Sequence, residues 1–354
     1  MKIALILPGS IWYAPYVRIY TRILDEQQVD YSIISWNREG DDNPEGFQYN
    51  VSCAKGHGSA GLKAYKGYIR FIKKTIKEQG FKRIIVFGPQ MTCMLSSFLL
   101  LHFKRRYMID YRDLSIEQKP GLRQLFAIML HYSCANVISS PGFKDYLPKS
   151  SYVLSHNFNI DVVKNALNSE NEGMQTKDKD IVVLTIGAIR DYGSNMEVVK
   201  ALANKSGISL KFVGKGDVST KIEEYCKNNG VDNVYFHGFY KKEEEAQFVA
   251  DSDILNIFYP YVKTHNSALS NRFYNSLIYK KPMIVNKGTT QGLYAEKYNV
   301  GIVIQDCSNL DVAIKDYLSS LNYSDYFANC NKLLSDFIDD YNQFEKVVVG
   351  FVLK

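Results

Sequence analysis

Short apolar runs without polar alternation recur along the whole chain, each followed by a turn and a helix-length segment. In the first half the runs are KIALIL (2–7), DYSIISW (30–36), RIIVFG (83–88), RYMIDY (106–111), NVISS (136–140) and YVLSHN (152–157). In the second half they are IVVLTIG (181–187), SLKFVG (209–214), NVYFHG (233–238), DILNIF (253–258), PMIVN (282–286) and GIVIQ (301–305). A strand that is apolar on both faces must be covered on both faces, which is the condition of a parallel sheet sandwiched between helices. Two sets of about six strands therefore predict an α/β protein built of two doubly wound Rossmann-like domains facing a cleft.

The length of 354 residues suits two domains, each with its own core. Residues 1–165 are expected to form the first and 166–335 the second, with 336–354 a helix packing back on the first. The polar, aperiodic stretch NALNSENEGMQTKDKD (165–180) is expected to connect them. A formal net charge of +6 is too mild and too dispersed for nucleic-acid binding, and suits anionic ligands or an anionic membrane surface. Six scattered cysteines without a CxxC pair read as reduced thiols, not zinc ligands. The opening MKIALILPGS stops at Pro8 without a cleavage site and reads as a buried strand, so a cytoplasmic location is expected.

Open α/β sheets bind ligands beyond the carboxyl ends of their strands. In the second half those ends carry Arg190 in IGAIRDYGSN, Lys215 in FVGKGD, and Gly238, Phe239 and Tyr240 in FHGFY. In SALSNRFYNSLIYKKPMIV (267–285), Arg272, Asn275, Ser276 and Tyr279 fall on one helix face, while Phe273, Leu277 and Ile278 point to the sheet. Arg190, Lys215 and Arg272 are three cations that can converge on a diphosphate.

These motifs, GAIR, FVGKGD, FHGFY and NRFYNSLIYKKPMIV, resemble the nucleotide-binding domain of GT-B glycosyltransferases, in particular the family 4-like group of bacterial polysaccharide enzymes. The motifs lie within residues 181–305, and the likeness of architecture covers most of the chain. It implies a nucleotide diphosphate-sugar donor held through its diphosphate by Arg190 and Arg272, with Gly238 to Tyr240 against the nucleobase. It also implies transfer with retention of configuration and no further cofactor. One departure stands out. That group has two glutamates eight residues apart, the second of which binds the ribose hydroxyls; here those positions are Ser267 and Asn275. Protein cations in place of a DxD pair predict a metal-independent reaction.

In the first half, IDYRDL (109–114) places Asp110, Arg112 and Asp113 at a strand end. Asp113 or Asp110 can orient or deprotonate an acceptor hydroxyl, or form a structural pair with Arg112. Gly9 and Ser10, after the first strand, and Arg112 are expected on the acceptor side. The expected acceptor is a glycan or a lipid-linked sugar. The segment 61–79 is a basic amphipathic helix, with Lys63, Lys66, Arg70, Lys73, Lys74 and Lys77, which can contact an anionic membrane surface from the cytoplasmic side. The competing functions are a nucleotide-sugar 2-epimerase of the same fold and a non-catalytic sugar-nucleotide-binding homologue.

Overall fold

The structure is a computed structural model that describes residues 1–38, 40, 45–52, 61–169 and 180–353, and the side chains of these except Leu62. The chain divides into two compact units, Met1–Asn157 with Asp339–Lys354, and Phe158–Ile338.

Unit 1 is built on seven strands: β1 (Lys2–Ile6), β2 (Asp30–Trp36), β3 (Phe47–Tyr49), β4 (Arg83–Phe87), β5 (Tyr107–Tyr111), β6 (Ala135–Ile138) and β7 (Val153–Leu154). Their order is β3-β2-β1-β4-β5-β6-β7, and every ladder is parallel. Unit 2 is built on β8 (Ile181–Ile186), β9 (Ile208–Val213), β10 (Val234–Gly238), β11 (Ile254–Ile257), β12 (Met283–Asn286) and β13 (Gly301–Ile304). Their order is β10-β9-β8-β11-β12-β13, again all parallel. The order reverses at β1 in the first sheet and at β8 in the second. In each sheet the loops after the central strands therefore diverge and leave a crevice at the carboxyl edge.

The apolar runs form these strands because helices cover both faces. All five residues of β4 and of β5 are buried. Each large aliphatic side chain so enclosed contributes about 1.5–3 kcal/mol. The twelve expected runs all contain strands. Among the described residues β3 is an addition: it has three half-buried residues at the sheet edge, too few for a periodic signal. The run at 152–157 yields only the two-residue β7.

The expected boundary at residue 165 falls instead at Asn157. The helix Ile160–Asn168 places Val163 and Ala166 in the core of unit 2, beside Leu184, Leu255 and Phe273. Most of the expected connecting stretch, 170–179, lies outside the described residues. The final helix is longer than expected, Tyr323–Leu353. Its first part lends Tyr326, Leu333 and Phe337 to the core of unit 2. Within unit 1, Phe344 packs edge-on against Tyr20 at 5.0 Å, and Asp340 lies 3.0 Å from the enclosed His156 ring. The described cysteines, Cys93, Cys134, Cys226, Cys307 and Cys330, are unpaired, and Cys53 lies outside the described residues. No described helix is long and apolar enough to cross a membrane.

Candidate anion-binding rim and carboxylate site

In unit 2 the loops leaving β8, β9 and β10 are laced by backbone hydrogen bonds. Gly187 N donates to Val213 O at 2.9 Å, Ile189 N to Lys215 O at 3.3 Å, and Gly214 N to Gly238 O at 2.7 Å. Two glycines make this possible. A Cβ on Gly214, whose φ is +132°, would lie 2.0 Å from Gly187 O, and one on Gly216 would lie 1.8 Å from Ile189 O. Backbone meets backbone here, and only glycine permits it. The result is a rim on which Arg190 and Lys215 are exposed, with no side-chain hydrogen bond or ion pair to another described residue.

The third cation comes from the helix Asn271–Ile278. Ser270 caps it by accepting from Phe273 N, and Pro282 bars its continuation. Phe273, Tyr274 and Leu277 anchor it in the core. Arg272 is thereby buried beneath the rim. Its Nε donates to Ile186 O at 2.5 Å, Nη1 to Asn256 O at 3.3 Å and Nη2 to Ala188 O at 3.4 Å. The guanidinium also lies 5.4 Å from the Tyr259 ring centre. All its acceptors are neutral carbonyls. Its charge has no carboxylate partner among the described residues, an unfavourable state for an enclosed cation unless an anion joins it.

Other expected residues of this half fall differently. Gly238 has φ +81° and ends β10. Phe239 is 73% exposed, an apolar ring offered to the surface beside the rim. Tyr240 is half-buried and its hydroxyl donates to Glu245 Oε2 at 2.8 Å. Burial, and then the Glu245 charge, push the Tyr240 phenol up. Asn275 is partly exposed and donates to Glu245 Oε1 at 3.0 Å.

Two expectations need correction. Ser267 is buried, and its hydroxyl donates to Lys263 O at 2.6 Å within its own helical turn. Ser276 does not join a polar face. It is enclosed and donates to Lys281 O at 2.5 Å, closing the helix end. The helix after Arg190 begins at Tyr192, after Asp191 in a left-handed conformation. Asn195 Nδ2 ties back to Arg190 O at 2.5 Å.

Three features had been missed. Glu245 starts the helix Glu245–Ala250 and meets Asn275 because Val249 and Phe273 share one core face. His265 lies 3.9 Å from Asp191 and 5.0 Å from the Tyr259 ring. In unit 1, Arg38 follows β2. Its Nη2 donates to Pro8 O at 2.9 Å and to the Tyr65 hydroxyl at 3.1 Å, and its guanidinium lies 4.2 Å from the Trp36 ring centre. Its Nε is buried without a hydrogen-bond partner. A cation directly after a strand, as in SWNR, was the available signal.

At the end of β5, Asp110 is fully enclosed. Arg112 grips it with Nε to Oδ1 at 2.6 Å and Nη2 to Oδ2 at 2.8 Å, while the Tyr20 hydroxyl donates to Oδ2 at 2.5 Å. Arg112 also donates to Ser155 O at 2.8 Å and Ser155 Oγ at 3.0 Å. This is a closed structural network, so the expectations that Asp110 acts in catalysis and that Arg112 meets an acceptor are replaced by a supporting role for both. Asp113 remains exposed and accepts from Leu114 N at 2.8 Å. Gly9 has open space where a Cβ would stand, and its carbonyl accepts from Trp36 N at 3.3 Å. Ser10 Oγ accepts from Trp12 N at 3.3 Å.

No protein-family model matches the sequence, and no curated protein matches it. Solved structures do. A sucrose-phosphate synthase from Thermosynechococcus elongatus superposes with a TM-score of 0.71 at 15% identity, covering 98% of each chain. HepE from Anabaena in complex with UDP-glucose gives 0.65 at 13% identity over 99% of this chain and 100% of its own. WaaG, a glycosyltransferase of lipopolysaccharide biosynthesis, gives 0.63 at 14% identity over 98% and 100%. At such identities the likeness is one of fold, and it extends over both units: the chain has the two-domain GT-B fold of these glycosyltransferases.

Proposed function

We propose that the chain is a glycosyltransferase that moves a sugar from a nucleoside diphosphate sugar to a hydroxyl of a glycan or lipid-linked acceptor, in the synthesis of a cell-surface polysaccharide. The observation that carries this reading is the unit 2 rim. Arg190, Lys215 and Arg272 gather at the strand exits, and the enclosed one has only carbonyls as partners. A diphosphate supplies the missing charge, and charge-assisted hydrogen bonds to it would be worth about 1.5–3 kcal/mol each. The same cations would stabilise the charge that grows on the departing diphosphate, the task a metal performs elsewhere, so turnover without added metal is part of the proposal. Phe239 would take the face of the nucleobase. Retention of configuration follows from the resemblance of the motifs. HepE holds UDP-glucose in its complex, which supports a nucleotide sugar as the donor here.

The acceptor would bind on unit 1, at the exits of β1 and β5, where Asp113 offers an exposed carboxylate as general base. The helix Leu62–Gln79 turns Tyr65, Tyr68, Ile72 and Ile76 into the core and leaves Lys63, Lys66, Arg70, Lys74 and Lys77 exposed. Its apolar face is spent on folding, so contact with an anionic cytoplasmic leaflet would be electrostatic adsorption without insertion. The test is calorimetric titration with UDP, GDP, ADP, CDP and dTDP, then turnover of the matching sugar nucleotides with and without EDTA. Binding of one diphosphate and chelator-resistant turnover are expected. Failure to bind any of them removes the donor site.

A further inference from the structure

We propose that Glu245, presented by Asn275 and Tyr240, is the group that recognises the ribose diol of the donor, a deepening that rests on the donor reading above. Glu245 is remote in sequence from Asn275, yet the two side chains meet at 3.0 Å. Its side chain is only 12% exposed. Oε1 accepts from Asn275 Nδ2 and from the Lys242 ammonium, and Oε2 accepts from the Tyr240 hydroxyl. A carboxylate has about four acceptor positions, so three donors leave one open, on Oε2. The Asn275 carbonyl oxygen has no partner among the described residues and is a second acceptor beside it.

Two neighbouring acceptors fit two neighbouring hydroxyl donors, which is what a vicinal diol presents. The location selects the ribose. Asn275 stands one helical turn beyond Arg272, on the same face. Tyr240 follows the exposed ring of Phe239. The order Phe239, Glu245 with Asn275, Arg272 thus repeats the order base, ribose, diphosphate. Asn275 cannot offer a negative charge itself, and it instead holds one in place from a neighbouring helix. Asn275 and Tyr240 are positioning residues, and Glu245 is the one that meets the ligand.

The test uses the full chain and calorimetry with UDP, ADP, GDP and CDP against their 2′-deoxy and 3′-deoxy forms. The wild type is expected to prefer the ribose form of its diphosphate by about tenfold or more, as for a hydrogen bond to a charged group. In Glu245→Gln the ribose and deoxy forms should bind within about twofold of each other, because the charged acceptor that discriminates between them is gone. Should Glu245→Gln loosen the fold, the double variant Glu245→Gln with Asn275→Asp returns a carboxylate to the face and should restore the preference. A Glu245→Gln protein that keeps its full preference, or a wild type that binds a diphosphate with no preference, overturns the inference and leaves Glu245 a staple between two helices. A wild type that binds no diphosphate overturns the donor reading itself.

Discussion

Arg112 and Arg272 stand at the carboxyl edges of the two sheets, both nearly enclosed, but one faces a carboxylate and the other only neutral groups. Arg112 faces Asp110, which it grips through two nitrogens, and Tyr20 and Ser155 complete the set. Arg272 faces three carbonyls and a tyrosine ring. The first cation is neutralised by the fold and can do no more than hold it. The second has no carboxylate partner among the described residues, and the proposal gives it one in a donor diphosphate. Burial alone does not separate these two arginines; the charge of their partners does.

The largest effect expected from this contrast is in unit 1. Asp110→Asn removes the charge opposite an enclosed guanidinium, and the cost should be about 3–5 kcal/mol of stability, read from urea unfolding. A variant as stable as the wild type would mean that Arg112 is not held by charge. Next comes the exposed neighbour. Asp113→Asn should lower turnover by about 100-fold or more with nucleotide affinity unchanged, because a general base acts only on the reacting hydroxyl. Equal losses of binding, rate and melting temperature would instead place Asp113 with Asp110 in the structural network.

Lys280 is a third enclosed cation. It ends its helix with φ +53°, and its ammonium donates to Asn331 Oδ1 at 2.6 Å. Burial pulls its pKa down to about 8. The folded value lies below the unfolded one, so between them the unfolded chain binds more protons and stability rises with pH. The gain should be about 2 kcal/mol between about pH 8 and 9.5, and it should vanish in Lys280→Met. Identical pH profiles for the two proteins would show that the amine is not desolvated. The smallest effect per residue belongs to the surface. Replacing Lys66, Arg70, Lys73 and Lys77 by glutamine should weaken adsorption to anionic liposomes at low salt by about 1 kcal/mol per charge. Wild-type protein that ignores such liposomes leaves the helix with a folding role alone.

The strands were legible because a parallel sheet demands uninterrupted apolar runs, and RIIVF or IVVLTI offers no other reading. The three residues of β3 escaped because an edge strand is buried on too little surface to impose a pattern. At the sites, residue type and position after a strand singled out Arg190, Lys215 and Arg272 as candidates, and Arg112 alongside them. Arg112 directly follows a strand and Arg272 opens a later helix, but how each charge is met is visible only in the folded partners. Helical periodicity put Ser276 with Arg272 and Asn275, because spacing reports a face but not whether the end of that face is closed by the next loop. Glu245 was beyond reach for another reason: 30 residues separate it from Asn275, and the contact exists only because both helices send apolar side chains into one core.

The proposed donor site stands or falls with Arg272, whose uncompensated charge would meet the diphosphate. The direct measurement is calorimetric affinity for the nucleoside, its monophosphate and its diphosphate, in the wild type and in Arg272→Met. The wild type should gain affinity with each phosphate, and the variant should lose about 1.5–3 kcal/mol of that gain while binding the nucleoside as before. An Arg272→Met protein that is folded and gains as much from the diphosphate as the wild type would contradict the account.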